Sequence, residues 1–254
     1  MNLNYKYRLY PTTVQKADLN RNLDICRQAY NFCLEHMNYV HETETRIPSR
    51  FEIQGILPVL KEALPYFREV NSKVLQMVVH QLNTNLKSLS QLKKNGRKVG
   101  RLRYKGERWY KTLTFNQSGF NINTDGKLEL SKIGCINIKL HRRVEGKIKQ
   151  VKVKREATGK WFAILCVEQD LPETRSKITN PVGIDLGLTD FVIDSDNHKT
   201  KHPFNIKKAE KRLAKAQKDF ARKKKGSKNR EKDRLKVARI YEKVLNRKGI
   251  FYIS

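Results

Sequence analysis

"PVGIDLGLTDFVIDSDNHK" occupies residues 181–199. It has the form of a strand, a Gly-containing turn, a second strand and a polar turn. Val182, Ile184 and Leu186 fall on one side of the first strand, and Gly183, Asp185 and Gly187 on the other. One carboxylate therefore stands between two glycines in an otherwise apolar run. The glycines leave room for a cation or a phosphate to approach the backbone. A carboxylate taken out of water needs a cation. Two readings stand: Asp185 pairs with a nearby arginine, or it belongs to a metal-binding set.

The 254 residues around it carry 54 Lys and Arg against 25 Asp and Glu, a formal net charge of +29. A chain that is 38% hydrophobic can bury a core, in about two or three compact units. Such an excess of cations repels itself unless something anionic neutralises it, and nucleic acid is the default partner because phosphate contacts release counterions. A membrane surface is the weaker alternative; no apolar run is long enough to span a bilayer. "MNLNYKYRLYP" (1–11) has no apolar signal region. Cys26, Cys33, Cys135 and Cys166 form no C-x-x-C pair, so no zinc site is expected in this chain, and a reduced, cytoplasmic setting is.

"LNYKYRLYP" (3–11) alternates as a half-buried strand does. Thr12 and Gln15 then form a capping box, and Leu19, Leu23, Cys26, Tyr30, Cys33 and Met37 recur at helical steps. The seven-residue gap between Cys26 and Cys33 fits a metal pair or two core thiols; no further ligands accompany them, which favours the core. Ser49 and Glu52 make a second capping box, and Pro58 and Pro65 are expected to cut the adjoining region into short helical pieces. Helical spacing returns at Val74, Val78, Leu82, Leu86 and Leu89 and stops at Gly96. Residues 112–170 read as short alternating strands, with "TDGK" and "ATGK" as hairpin turns, which suggests a small barrel that the first strand could join. "GRKVGRLRYKGERWYKTLTF" (96–115) interleaves Arg101, Arg103 and Arg108 with Tyr104, Trp109 and Tyr110. It is either a nucleic-acid segment, with rings for bases and cations for phosphates, or a solvated loop with its rings packed inward. Residues 206–248 read as a basic helical hairpin bent at "KKKGSKN". Leu213, Gln217 and Phe220 mark one arm, Val237, Tyr241 and Val244 the other, and Lys223, Lys224, Lys225 and Lys228 lie at the bend.

The order of a strand, a helical insertion, a barrel, G-I-D-L-G-L-x-D-F and a "KKKGSKN…VARIYEKVLNR" hairpin resembles the TnpB (OrfB-type) proteins of bacterial insertion sequences, from the first residues to about Lys248. The resemblance implies a transposase-type protein of an RNA-guided, Mg²⁺-dependent DNA endonuclease lineage, related to type V CRISPR effectors. It implies an α+β multidomain fold with a small antiparallel β-barrel (wedge) domain, residues 1–11 plus 112–170, interrupted by a helical recognition domain, 12–111. A linker, 171–181, then leads to an incomplete RNase-H-like (RuvC) α/β domain with the basic hairpin, 182–254. It implies guide RNA from the transposon end and double-stranded target DNA as partners, no membrane, and a monomer with its RNA near the nucleoid. Asp185 falls on the family's first catalytic carboxylate and magnesium ligand; Lys73, Gln76, Thr114 and Asn116 fall where a motif beside the target is read.

Two-metal hydrolysis uses cations about 3.5–4 Å apart, and one carboxylate does not hold both. The family's remaining acids, with a four-cysteine zinc ribbon, lie beyond the hairpin, so an incomplete nuclease site is expected here. Asp190 lies at a turn. Asp194 shares a face with Asp185 if their strands pair simply, but with an offset of ~6–7 Å along the strand; neither is expected to substitute. The tail "GIFYIS" (249–254) differs from the D-F-L-H-K common in the family. One set of codons for it encodes Asp-Phe-Leu-His-Lys in another frame, which suggests a frameshifted, truncated chain whose residues 182–254 fold loosely. Three functions stay open: a nucleic-acid binder without a complete nuclease centre, a nuclease completed in trans, and a non-enzymatic regulator of intact relatives. Sequencing the gene past codon 248 checks the frameshift: a glutamate-bearing strand and a C-x-x-C pair are expected in another frame, and their absence rejects it.

Overall fold

A computed structural model describes residues 1–170, 181–185, 190–201 and 204–251. All of the expected linker 171–181 except Pro181 lies outside these residues, as do residues 186–189 of the opening stretch and 252–254 of the tail. The chain forms two compact units, Met1–Leu171 and Pro172–Ser254.

The first unit opens with β1 (Asn2–Tyr10), followed by the helices α1 (Thr13–Glu44), α2 (Arg50–Ala63) and α3 (Ser72–Lys94). Six strands complete it: β2 (Thr112–Asn116), β3 (Phe120–Ile122), β4 (Lys127–Leu130), β5 (Gly134–Lys139), β6 (Lys147–Arg155) and β7 (Trp161–Glu168). All pair antiparallel in the order β2-β6-β7-β1-β5-β4-β3. β1 is thus the middle strand. The two edge strands, β2 and β3, are joined by residues 117–119 alone, so the sheet must curl until it almost closes.

Alternation explains the curl's interior. Leu113, Phe115, Val151, Val153, Ala163, Leu165, Tyr7 and Leu9 are all buried, one residue in two along their strands. They share a core cluster with Leu19, Cys26, Tyr30 and Cys33 of α1 and with Val74, Val78 and Leu82 of α3. Each such Leu, Phe or Val contributes roughly 1.5–3 kcal/mol of burial. Tyr7 is fully buried, and its hydroxyl donates to the Arg142 carbonyl at 3.1 Å; burial raises its pKa. Burial also raises the thiols of Cys26 and Cys33. They are core residues, inert as thiolates.

Both capping boxes form. Thr12 Oγ1 accepts from the Gln15 N–H at 3.2 Å, and Gln15 Oε1 accepts from the Thr12 N–H at 3.0 Å. Gln15 Nε2 also donates to the Cys135 carbonyl at 2.8 Å, tying α1 to β5. Pro58, by contrast, does not break the chain: α2 runs through it to Ala63. A proline removes one donor, and the buried stripe of Ile53, Leu57 and Leu60 holds the helix across the gap. The break comes at Pro65, which opens a 3-10 turn, Pro65–Glu69.

In the second unit β8 (Ile184–Asp185), β9 (Asp190–Asp194) and β10 (Lys199–Lys201) form a small antiparallel sheet with β9 in the middle. The helices α4 (Phe204–Ala221) and α5 (Lys228–Phe251) form the hairpin. Its seam corrects the sequence expectation. Ala209, Ala216 and Val244 are buried, with Leu213 and Phe220 half-buried, while Gln217 and Tyr241 face out. Alanines permit close approach of two arms whose other faces are cationic. Arg230 closes the bend: its guanidinium donates to the carbonyls of Phe220 (3.1 Å) and Lys223 (2.7 Å) and lies 4.2 Å from the Phe220 ring centre.

Two consequences are measurable. Gly146 has a φ of 103°, and a Cβ there would meet the Glu168 carbonyl oxygen at 2.3 Å. Gly146→Ala should cost about 2 kcal/mol or more, read as a lower denaturation midpoint; an unchanged midpoint contradicts the geometry. The Glu52 carboxyl is held down at about 2 by the Ser49 N–H, the Ser49 side chain and the Arg46 guanidinium. A depressed carboxyl stabilises the fold above its unfolded pKa of about 4.3, and this contribution is lost as pH falls towards about 2. Wild type should therefore lose stability relative to Glu52→Gln across that window, and parallel pH curves would reject the assignment.

Candidate nucleic-acid interface and the Asp185 strand

The basic segment before β2 divides its side chains by direction. Arg101, Arg103, Tyr104, Arg108 and Trp109 are exposed, whereas Leu102, Lys105 and Tyr110 turn inward. Trp109 is 75% exposed and Tyr104 55%, so two of the three aromatic rings face solvent among the arginines. Tyr110 is the exception to that pattern; its hydroxyl donates to Gln81 Oε1 at 3.3 Å. The segment is pinned at Lys105. Its N–H donates to Asn31 Oδ1 at 2.7 Å and its carbonyl accepts from Asn31 Nδ2 at 3.1 Å. Its ammonium lies 5.2 Å from the Tyr30 ring centre. One α1 amide side chain thus fixes an otherwise irregular strand of backbone, and the residues on either side of Lys105 are held outward.

The outer face of the sheet adds cations. Register aligns Thr112, Lys154, Phe162 and Arg8 in one row across β2, β6, β7 and β1, and Thr114, Lys152, Ile164 and Lys6 in the next. Lys6 and Arg8 lie 4.3 and 5.0 Å from the Phe162 ring centre. Glu156 pairs with Lys6 at 3.1 Å and Lys154 at 3.4 Å. The lysines of "QVKVKRE" show the β6 part of this face in the sequence. Lys6, Arg8 and Phe162 join it only through long-range pairing, for which no local signal exists.

Thr114 and Asn116 lie within and at the end of β2, not in a turn; the turn comes at 117–119. Thr114 alternates with the buried Leu113 and Phe115 and so faces out. Asn116 Oδ1 accepts from Gln150 Nε2 at 3.5 Å. Lys73 is exposed and Gln76 half-buried on the first turns of α3. The Asn71 side chain, which caps α3 by accepting from the Lys73 N–H at 2.9 Å, abuts Gly119. The start of α3 is therefore brought to the end of β2.

In the second unit Lys223, Lys224, Lys225 and Lys228 are all exposed around the bend. Lys223 Nζ is 4.0 Å from Asp233. Ser227 caps α5, accepting from the Arg230 N–H at 3.1 Å.

Asp185 is exposed on β8. It stands opposite Ile193, while Ile184 stands opposite Asp194. Asp194 therefore lies on the other face from Asp185, correcting the expectation that they share one: a shift of one residue in register moves a side chain across the sheet. Asp194 serves the turn instead, accepting from the N–H groups of Asp196 (3.0 Å) and His198 (2.8 Å). The His198 N–H leads the interactions that lower its pKa. Asn197 has a φ of 63° there, as a turn residue. Ligand atoms of Asp194, Asp196 and His198 come within 4.8 Å of one another, without Asp185. Among the described residues Asp185 has no second carboxylate on its own face of the β8–β9 pair, so the donor set does not fit a two-metal nuclease centre.

A family profile described as a probable transposase, of OrfB type, matches residues 164–249. A second, described as a helix-turn-helix domain, matches residues 1–45, where the structure has one strand and one unbroken helix. A Streptomyces pristinaespiralis protein, named as a candidate RNA-guided DNA endonuclease, is 33% identical over 97% of this chain and 61% of its own length. Escherichia coli InsQ, named likewise, is 24% identical over 95% of this chain and 59% of its own. The chain thus spans about three fifths of the length of these curated relatives. A cryo-EM structure of Cas12f1 with single guide RNA and target DNA aligns at a TM-score of 0.44 and 12% identity, covering 97% of this chain and 68% of the other. With profile matches in both units and similarity to these relatives along 97% and 95% of its own length, the chain belongs to the OrfB (TnpB) family of insertion-sequence transposase proteins.

Proposed function

We propose that this chain binds guide RNA and double-stranded DNA as a member of an RNA-guided DNA endonuclease lineage, and that binding, not cutting, is its own activity. In this proposal residues 1–11 and 112–170 act as a wedge, 12–111 as the recognition part, 171–181 as a linker, and 182–254 as the first part of a RuvC-like nuclease domain. Guide RNA from the transposon end would be held by a single copy of the chain, at the bacterial nucleoid.

The observation that carries the proposal is the outward set Arg101, Arg103, Tyr104, Arg108 and Trp109, on a segment tied to α1 where Asn31 bonds the Lys105 backbone. Rings offer stacking surfaces to unpaired bases, and the neighbouring guanidinium groups meet phosphates. On the second unit, Lys223, Lys224, Lys225 and Lys228 form a cationic surface of their own. Lys73, Gln76, Thr114 and Asn116 are the candidates for reading a short DNA motif. No described helix is long and apolar enough to cross a membrane.

A second reading is favoured by one observation. Val182 and Ile184 are 54% and 67% exposed, and β8 is an edge strand among the described residues. An apolar strand with an open edge is a place for another strand to add. Further carboxylates carried by such a strand would join Asp185 and make a nuclease of the assembly, with Mg²⁺ as the ion such chemistry uses.

Two measurements separate these. Affinity for a transposon-end RNA should fall steeply with salt, with a slope near −0.7 per phosphate contacted for single strands. Replacing Arg101, Arg103 and Arg108 together by alanine should flatten that slope by about 2; an affinity indifferent to salt rejects the binding proposal. The purified chain with RNA, Mg²⁺ and target DNA should leave the DNA intact. Cutting that Asp185→Ala abolishes would establish the second reading instead.

A further inference from the structure

The connection from β5 to β6, residues 140–146, builds a further cationic site, this one beside a groove. It borders a groove of about 560 Å³ lined by the apolar Ile122, Leu140 and Ile148 and by the basic His141, Arg142 and Arg143. Ile122 and Ile148 rest on the core of the unit. The three basic residues are exposed.

The loop is held in place before any ligand arrives. The Tyr7 hydroxyl donates to the Arg142 carbonyl. The His141 ring lies 5.1 Å from the Tyr7 ring, and the Arg142 guanidinium lies 5.1 Å from the centre of Tyr5. Gly146, in a conformation open to glycine, lets the chain pass against the Glu168 carbonyl. Four separate contacts on β1 and β7 therefore set the position of the basic rim. A preformed loop loses little freedom when it binds.

We infer that this groove takes one unpaired nucleotide of a single-stranded nucleic acid, its base over Ile122, Leu140 and Ile148 and its phosphates on Arg142 and Arg143. The mixed chemistry of the lining is the reason. An inorganic anion has no use for an apolar floor, and an apolar ligand has no use for three cations. A nucleotide presents a flat ring beside a charged phosphate, and its base meets the floor only when it is unstacked and unpaired. A duplex presents its backbone outward with its bases enclosed, and the apolar lining gains nothing from it. The inference rests on the proposed binding of nucleic acid and adds a place and a strandedness to it.

The test uses the full chain and two 12-nucleotide probes, an RNA bearing 4-thiouridine and a DNA bearing 4-thiothymidine, each single-stranded and as a duplex. After irradiation, crosslinked peptides containing residues 140–148 are expected from single-stranded probes and not from duplexes; which sugar crosslinks better decides between RNA and DNA. Arg143→Glu and Leu140→Glu should each remove that crosslink and weaken single-strand binding by about tenfold, the scale of one stacked base. Both positions lie outside the Tyr5–Tyr7–His141 stack, and circular dichroism should match wild type. Salt-sensitive binding with crosslinks only elsewhere, or variants that bind as wild type does, overturns this inference and leaves the proposed function standing. Absence of binding to every probe overturns both.

Discussion

The first unit hangs on a strand that is hydrogen-bonded along both edges. β1 pairs with β7 from Asn2 to Leu9 and with β5 from Arg8 to Tyr10. Without it the sheet would part into β2-β6-β7 and β5-β4-β3, each with an open edge. Every partner of β1 lies more than 120 residues further along the chain, so closing this ladder is slow relative to forming the helices between. At ~5–20 residues per second, synthesis leaves β1 without its partners for on the order of 10–30 s. Once β5 is made, the hydrogen bond from Gln15 at the start of α1 to the Cys135 carbonyl anchors β5 beside the end of β1.

The excess of positive charge has shaped which cations do structural work. Arginines staple backbone and rings: Arg230 bridges two carbonyls across the hairpin bend, and Arg142 lies over Tyr5. The lysines of the bend, by contrast, project outward. Guanidinium groups suit the first task because one planar fork serves two acceptors and a ring face together. The ion pairs that do occur, such as Arg46 with Glu52 or Arg234 with Glu231, are at the surface and worth little each. Stability therefore rests on the apolar core and the strand ladder rather than on these charges.

Much of this was legible in the sequence wherever a local rule decides the outcome. The helical spacing from Leu19 to Met37, the capping boxes at Thr12 and Ser49, and the turns "TDGK" and "ATGK" each depend on residues a few positions apart. The features that depart from the local pattern depend on distant or competing interactions. Pro58 stays in a helix because the buried stripe around it outweighs one lost donor. Gln217 and Tyr241 carry the right spacing for a seam, but Ala209 and Ala216 let the arms approach more closely. The facing of Asp185 and Asp194 turns on one residue of register, which a Gly-containing turn leaves open. Of the site, the outward Tyr104 and Trp109 were half visible in their interleaving with arginine. The groove beside residues 140–146 was not visible, because its lining joins that loop to β3 and β6, which only the folded sheet brings together.

The placement of the two tryptophans has an optical consequence. The chain contains two in all: Trp161 is 2% exposed within the sheet, and Trp109 is 75% exposed beside the arginines. Indole emission shifts to the red in water, so one chain carries a blue emitter that reports on the core and a red emitter that reports on the basic segment. A change confined to the red component marks an event at the surface, and a change in the blue marks loss of the fold. The protein thus distinguishes occupancy from unfolding by colour, without an added label.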